Sequence, residues 1–280
     1  MRDSERLDLE RMNVQALILS GFGINCEAET QTAFERAGAH ATRIHLNDLI
    51  ESPQALDDYH ILAIPGGFSF GDDVASGKIF ANRLRFRLGG PIKKFVASGK
   101  LAIGICNGFQ VMVKMGLLPL FEDEFVQEVT LTRNDTGRFE NRWVHTRVEP
   151  NTHCVWLNGI ETIEMPVRHG EGKFVARDAG ILDRLRENGQ IALRYARPDG
   201  APAAGQFPAN PNGSINDIAG ICDPTGRVFG LMPHPEAYLD QTNHPRWTRE
   251  PWREEGAGLR VFRNAVEQVK LKLLPQTAVS

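Results

Sequence analysis

The chain has 280 residues, of which 41% are hydrophobic and 24% charged, and its mean hydropathy is -0.30. This composition allows a sizeable buried core and excludes a disordered or fibrous protein. Thirty-two Lys and Arg residues against 35 Asp and Glu residues leave a net charge of -3, so no general basic field exists to hold nucleic acid or anionic lipid.

The amino-terminal segment, residues 1–13, is charged and lacks the apolar core of a secretory signal. No apolar run along the chain approaches the ~18 residues typical of a membrane span. We therefore expect a cytoplasmic protein that associates with neither membranes nor nucleic acid.

Short apolar runs alternate with helix-forming stretches over the first 120 residues. Residues 14–20 end in the glycine-rich string GFGIN, and the helix formers of residues 27–37 stop at Gly38. Further strands are predicted at 41–46, 60–64 and 101–105, and further helices at 78–88, 92–97 and 109–115. This alternation predicts an α/β fold with a doubly wound, mostly parallel sheet covered by helices on both faces.

Beyond residue 125 the pattern becomes rich in strands. The runs at 143–148, 162–167 and 228–232 are predicted to add strands to the same sheet. Apolar residues three or four apart predict a closing helix at 259–273. The stretches 198–216 and 235–256 are rich in turn-forming residues or lack periodicity, and are predicted to be surface excursions.

A chain of this length is long enough for about two domains, although a single α/β domain can also reach this size. No internal repeat divides the chain. We predict a charged extension at residues 1–13, a single domain at 14–273 with a long excursion at about 238–256, and a tail at 274–280.

The four cysteines form neither a CxxC pair nor a dense disulfide framework. Cys106 stands out because the run at 101–105 leads into the string GICNG, and a helix follows. A glycine-flanked nucleophile between strand and helix is typical of a nucleophile elbow, and the amino terminus of the helix favours the thiolate. The alternative is a buried, unreactive thiol. Cys26, Cys154 and Cys222 lack this context and are predicted to be structural.

A nucleophilic thiolate needs a base, and His234 is the candidate among eight histidines. It lies in the string PHPE after the apolar run VFGLM, and the carboxylate of Glu236 is placed to fix its tautomer. The alternative is an ordinary His-Pro turn at the surface. An H-x-E unit also occurs in zinc deaminases, but no cysteine follows Cys222 to complete their signature. We therefore predict no metal site.

The string PGGFSFGDD follows the strand predicted at 60–64. Adjacent glycines let backbone N–H groups point into a site, so this loop and the N–H of Asn107 are predicted to form an oxyanion hole. The alternative is an ordinary tight turn. The string GFG near the start lacks the third glycine of a dinucleotide fingerprint, and no phosphate-loop string occurs. We infer no nucleotide site on this chain.

The strings GICNGFQ, PGG and PHPE resemble those of the class I glutamine amidotransferases. GFGINCE, PGGFSFGDDVASGKIFA, LTRNDTGRFENRW, PVRHGEGKF and NPNGSINDIAGI narrow the resemblance to the glutaminase subunits of phosphoribosylformylglycinamidine synthase. These strings extend from about Gly21 to Glu236. The resemblance implies a flavodoxin-like amidotransferase fold and a function in purine biosynthesis.

The same resemblance implies a role for each of nine residues. They are the nucleophile Cys106, the acid/base His234, its orienting group Glu236, the oxyanion donors Gly67 and Asn107, and the glutamine-binding residues Gln110, Asn134, Arg138 and Phe139. Of these, Gln110 would bind the amino-acid end of glutamine, and residues 134–139 would close the pocket.

The implied reaction is hydrolysis of glutamine to glutamate and ammonia through a glutamyl thioester. The ammonia would pass to a separate synthetase subunit that converts formylglycinamide ribonucleotide to formylglycinamidine ribonucleotide, often with a small accessory subunit. ATP and magnesium would bind to the synthetase, and this chain would need no cofactor.

Two other functions stay open on the sequence. One is a different cysteine hydrolase of the same fold, such as a γ-glutamyl hydrolase or a peptidase-like protein. The strings GGFSFGDD and RNDTGRFE argue against it. The other is a non-catalytic regulatory subunit on this scaffold, which the loss of a triad member would indicate, whereas all three are present.

Overall fold

The computed structural model describes residues 13–72, 75–122 and 125–274. Within them the strands are β1 Gln15–Ser20, β2 His40–His45, β3 Ile61–Ile64, β4 Leu101–Ile105, β5 Val129–Arg133, β6 Glu140–Val148, β7 Thr162–His169, β8 Glu171–Ala176, β9 Ile191–Ala196, β10 Ile218–Cys222 and β11 Val228–Leu231. The α-helices are α1 Glu27–Arg36, α2 Leu46–Glu51, α3 Lys78–Ala97, α4 Asn107–Met115, α5 Ala179–Glu187 and α6 Leu259–Lys272.

Nine strands form the central sheet in the order β2-β1-β3-β4-β11-β10-β9-β6-β7, and β5 pairs with β8 in a separate two-stranded sheet. The five strands from β2 to β11 run parallel to their neighbours. The remaining four join antiparallel to one another and to β11. The predicted α/β class with added strands is confirmed.

Helices cover both faces of the parallel half. The crossover through α1 moves from β1 to β2, whereas the crossover through α3 moves from β3 to β4 in the opposite direction along the sheet. Right-handed crossovers therefore place α1 and α3 on opposite faces. Helix α6 packs beside α1, and α4 beside α3. Every residue of β3 and β4 is consequently buried, as their continuous apolar runs predict.

Most elements predicted from periodicity lie within a few residues of the observed ones. The helices predicted at 78–88 and 92–97 are one helix, α3, which continues through Gly89, Gly90 and Pro91. Burial of its apolar face on both sides of the proline outweighs the missing N–H of Pro91. The prediction lacked β5, β8, β9, β10, α2 and α5.

The two predicted surface excursions are partly buried. In the segment 235–256, Tyr238 and His244 are buried and pack edge-on against Trp143 of β6, at centroid distances of 5.0 and 4.7 Å. In the stretch 198–216, Asn212 is buried and donates to Tyr195 Oη at 3.0 Å. Aromatic and polar anchors spaced without periodicity carry no sequence signal of burial, so this expectation was wrong for these residues.

Residues 1–12 of the predicted extension and residues 275–280 of the predicted tail lie outside the described residues. So do Asp73 and the neighbouring Val74 of the string PGGFSFGDDV. The division of the chain at residues 13 and 274 stays a prediction. Among the described helices, none combines the length and the apolar character that crossing a membrane requires.

Candidate active site

Cys106 lies in a sharp turn between β4 and α4, with φ 51° and ψ -104°. This left-handed conformation is costly for a residue with a side chain and is typical of functional turns. The turn also needs glycine, because a Cβ atom on Gly108 would lie 1.8 Å from the carbonyl oxygen of Ile64. The N–H of Cys106 donates to Leu231 O at 2.8 Å, which joins the ends of β4 and β11. The structure thus has the geometry of a nucleophile elbow at the predicted cysteine.

His234 follows β11 and reaches the same edge of the sheet. Its Nδ1 lies 2.5 Å from Glu236 Oε1, and both side chains are buried. Burial opposes the charged imidazole, yet the negative charge of Glu236 and the interaction with Cys106 raise the pKa of His234 well above its usual range. The structure therefore brings together the three predicted triad residues.

Cys26, predicted to be structural, also lies beside this site, a location that the sequence did not predict. Its Sγ, a ring nitrogen of His234 and a carboxylate oxygen of Glu236 are within 4.8 Å of one another. Burial raises the pKa of the Cys26 thiol, although its interaction with His234 acts in the opposite direction. The available signal was its place in the loop after β1, since the carboxyl ends of parallel strands share one edge of the sheet.

Gly67 lies where the loop after β3 meets the loop after β1. A bridge between Gly67 and Ile24 uses the N–H groups of Asn25 and Phe68. A Cβ atom on Gly67 would lie 2.5 Å from Gly23 O, and its φ is 153°. The hydrogen bonds of this bridge do not use the N–H of Gly67, and its role as an oxyanion donor stays a prediction.

Asn107 and Gln110 belong to a buried polar network on α4. Asn107 Nδ2 donates to Gln110 Oε1 at 2.8 Å, and Gln110 Nε2 donates to Glu171 O at 2.5 Å. Asn107 Oδ1 accepts from the N–H of Ser69 at 3.3 Å. Lys114 extends the network by donating to Ser76 O. The network ties the elbow helix to the loop that carries Gly67.

Asn134 supports the pocket rather than lining it. Its Nδ2 donates to Arg138 O and His169 O, and its Oδ1 accepts from Gly172 N and His169 Nδ1. All four hydrogen-bonding positions are used, so this side chain fits a positioning role better than the predicted contact with glutamine. His169 itself was not predicted. Burial, followed by the charge of His234, lowers the pKa of His169 to about 3.

Arg138 and Phe139 lie at the exposed rim of the site. The ring of Phe139 is 53% exposed and lies 6.1 Å from the ring of Phe68, which directly follows Gly67. The contact places the segment 134–139 beside the loop that carries Gly67. That this segment closes a glutamine pocket stays a prediction.

The arrangement is a buried cysteine at an elbow, an imidazole held by a carboxylate, and backbone N–H groups at the carboxyl edge of a doubly wound sheet. Groups in this arrangement can catalyse transfer of an acyl group from an amide to a thiol. Residues 13–269 match the model of the CobB/CobQ-like glutamine amidotransferase domain, and the chain belongs to this family.

Within this family, the chain is similar to proteins of one kind. The phosphoribosylformylglycinamidine synthase subunit PurQ of Methanococcus maripaludis is 44% identical over 264 residues, which cover 90% of this chain and 96% of that protein. The PurQ subunit of Dehalococcoides mccartyi is 45% identical over 255 residues, covering 91% and 97%. The structure of PurLQS from Thermotoga maritima matches with a TM-score of 0.68 and 29% identity, covering 92% of this chain and 100% of the matched chain.

Proposed function

We propose that this chain is the glutaminase subunit of a phosphoribosylformylglycinamidine synthase. It hydrolyses glutamine and supplies the ammonia to a synthetase that makes formylglycinamidine ribonucleotide in purine biosynthesis. The observation that carries the proposal is the meeting of Cys106 with the His234–Glu236 pair at the ends of β4 and β11. The similarity to PurQ subunits over nearly their whole length supports the acceptor reaction.

In the proposed mechanism, Cys106 Sγ attacks the side-chain amide carbon of glutamine as a thiolate. The N–H groups of Gly67 and Asn107 stabilise the oxyanion. The tetrahedral intermediate collapses to a thioester when His234 gives its proton to the departing ammonia. Water then attacks the thioester, His234 takes the proton of that water, and glutamate leaves. Glu236 keeps the imidazole oriented and stabilises its positive charge.

The pocket for glutamine is proposed to lie between the elbow helix and the segment 134–139. Gln110 Oε1 accepts from Asn107 and retains a second acceptor position, which suits the α-ammonium group of glutamine. Asn134 and His169 hold the segment in place from behind. Arg138 and Phe139 close the open side.

Delivery of ammonia requires a partner that covers this site. The rim carries three exposed aromatic side chains, of which Phe22 is 55% exposed, Phe68 46% and Phe139 53%. Aromatic residues are enriched at protein interfaces, and these lie on loops that border the site. We propose that the synthetase docks here, binds the ATP and magnesium itself, and works with a small accessory subunit in the cytoplasm.

The test is Cys106→Ser in the complex of this chain with its synthetase. Glutamine-dependent synthesis and glutamate release should be abolished, while synthesis from added ammonium chloride should persist, because only the nucleophile is removed. Cys222→Ser is the matched control, since Cys222 is a buried thiol outside the elbow, and both activities should survive there.

Glutamine-dependent synthesis at near wild-type rate in Cys106→Ser would overturn the mechanism. Release of glutamate from γ-glutamyl peptides in preference to glutamine would favour the γ-glutamyl hydrolase alternative. A wild-type complex that uses only ammonia would indicate a non-catalytic subunit.

A further inference from the structure

Cys26 places a second thiol beside the proposed acid/base pair. Its Sγ, a ring nitrogen of His234 and a carboxylate oxygen of Glu236 are within 4.8 Å of one another. The three residues come from two distant parts of the chain, the loop after β1 and the turn after β11. The proposed hydrolysis uses His234 and Glu236 but has no step for Cys26.

Two buried polar atoms of this cluster lack partners. Neither His234 Nε2 nor Glu236 Oε2 has a hydrogen-bond partner among the described residues. Both side chains are at least 97% buried. Buried polar atoms without partners are rare and costly. Nε2 lies on the far side of the ring from Glu236 and belongs to the proposed proton transfer, whereas Glu236 Oε2 lies on the side of Nδ1 and is open to an ion bound there.

The donor types are those that zinc prefers. A thiolate, an imidazole and a carboxylate are all common zinc ligands, and a site with three protein ligands keeps a fourth position open. Zinc holds sulfur at ~2.3 Å and nitrogen or oxygen at ~2.0–2.2 Å, which sets tetrahedral ligand atoms about 3.5 Å apart. Donors spaced by up to 4.8 Å therefore need to approach by about 1.3 Å at most, while His234 Nδ1 and Glu236 Oε1, which are 2.5 Å apart, need to separate by about 1 Å.

We propose that Cys26, His234 and Glu236 form an inhibitory site for Zn²⁺. The ion displaces the thiol proton of Cys26 and the proton on the ring nitrogen that it binds, and both protons pass to the solvent. The metal then occupies groups that proton transfer during glutamine hydrolysis requires. It is an inhibitor and not a cofactor, because catalysis needs the imidazole free. The inhibition rests on the proposed function, whereas the binding does not.

Binding is tested on the full chain by titration with Co²⁺ and then with Zn²⁺. Wild type should bind one Co²⁺ with a near-ultraviolet sulfur-to-cobalt charge-transfer band, which Zn²⁺ displaces. Cys26→Ser should lose this band and bind Zn²⁺ at least about 100-fold more weakly, since even partners outside the ligand shell contribute ~10–100-fold in affinity. Cys222→Ser, which keeps Cys26, should match wild type.

Inhibition is measured as glutaminase activity in the complex with synthetase, each variant being normalised to its own rate without zinc. Zinc should inhibit wild type and Cys222→Ser, a chelator should restore activity, and Cys26→Ser should need at least about 100-fold more zinc. Cys26→Ala provides a second variant if the serine protein is unstable.

Several results would overturn the site. Equal zinc affinity in Cys26→Ser and wild type would indicate an adventitious ion only. Loss of zinc binding in Cys106→Ser, with full binding in Cys26→Ser, would place the metal on the nucleophile. A chain that shows the cobalt band but no glutaminase activity without zinc would retain the metal site while refuting the proposed function.

Discussion

Gly67→Ala tests the proposed oxyanion hole by both sterics and chemistry. The new Cβ atom would lie 2.5 Å from Gly23 O, 2.7 Å from Ile24 Cα and 2.9 Å from Asn25 N, all of which are backbone atoms. The loop after β3 must therefore move away from the loop after β1 and carry the N–H of residue 67 with it. Loss of one oxyanion donor lowers kcat by about 100- to 1,000-fold, or about 2.7–4 kcal/mol.

The assay is steady-state glutamine hydrolysis by the complex, with ammonia-dependent synthesis as the measure of correct assembly. The oxyanion exists only during reaction, so kcat should fall while KM for glutamine stays nearly unchanged. Gly159→Ala is the matched control, because Gly159 also has a positive φ of 71° but a Cβ atom there meets nothing within 4 Å. It places an alanine at a positive φ without a steric clash and should keep its kcat. A kcat for Gly67→Ala within about threefold of wild type, with assembly intact, would refute the reasoning.

His169→Ala should mainly raise KM for glutamine, because it releases Asn134 and the segment that closes the pocket, whereas His234→Ala should lower kcat by about 100- to 10,000-fold. Steady-state kinetics separate the two, and a mild His234→Ala beside a severe His169→Ala would show that the wrong histidine was assigned. Gly89→Ala should stabilise the chain by about 0.5–1 kcal/mol, since Gly89 lies inside α3 and its Cβ atom would approach the Phe125 ring no closer than 4.0 Å. Urea unfolding measures this change, and destabilisation would mean that the helix needs glycine before Pro91. The isolated chain should be a slower glutaminase than the chain with synthetase, ATP and acceptor nucleotide. We expect the synthetase to favour a rotation of the Gly66–Gly67 peptide that turns the N–H of Gly67 toward the oxyanion. This rotation must break the hydrogen bonds that the N–H groups of Asn25 and Cys26 donate to Gly66 O. Equal turnover numbers would show that the site is already formed in the isolated chain.

Local sequence patterns were enough to predict much of the architecture and the nucleophile elbow. Strands that are buried on both faces have continuous apolar runs, and helices have apolar residues spaced three or four positions apart. A short window of sequence was therefore enough to predict β1, β3, β4 and α6. The elbow at Cys106 is equally local, since the strand, two glycines and the helix all lie within residues 101–115. The short strands β9 and β10 escaped prediction although turn-forming residues flank both, such as Asn188-Gly189 before β9 and Asp223-Pro224 after β10.

The sequence by itself determined that Cys106 lies at a strand end, and that His234 and Glu236 follow another apolar run. Only the tertiary structure decided which other side chains reach them. Cys26 meets His234 because β1 and β11 end at the same edge of one sheet, although 208 positions separate the two residues. His169 joins Asn134 through the pairing of distant segments. Contacts of this kind leave no local periodicity, because they depend on the order in which the strands assemble.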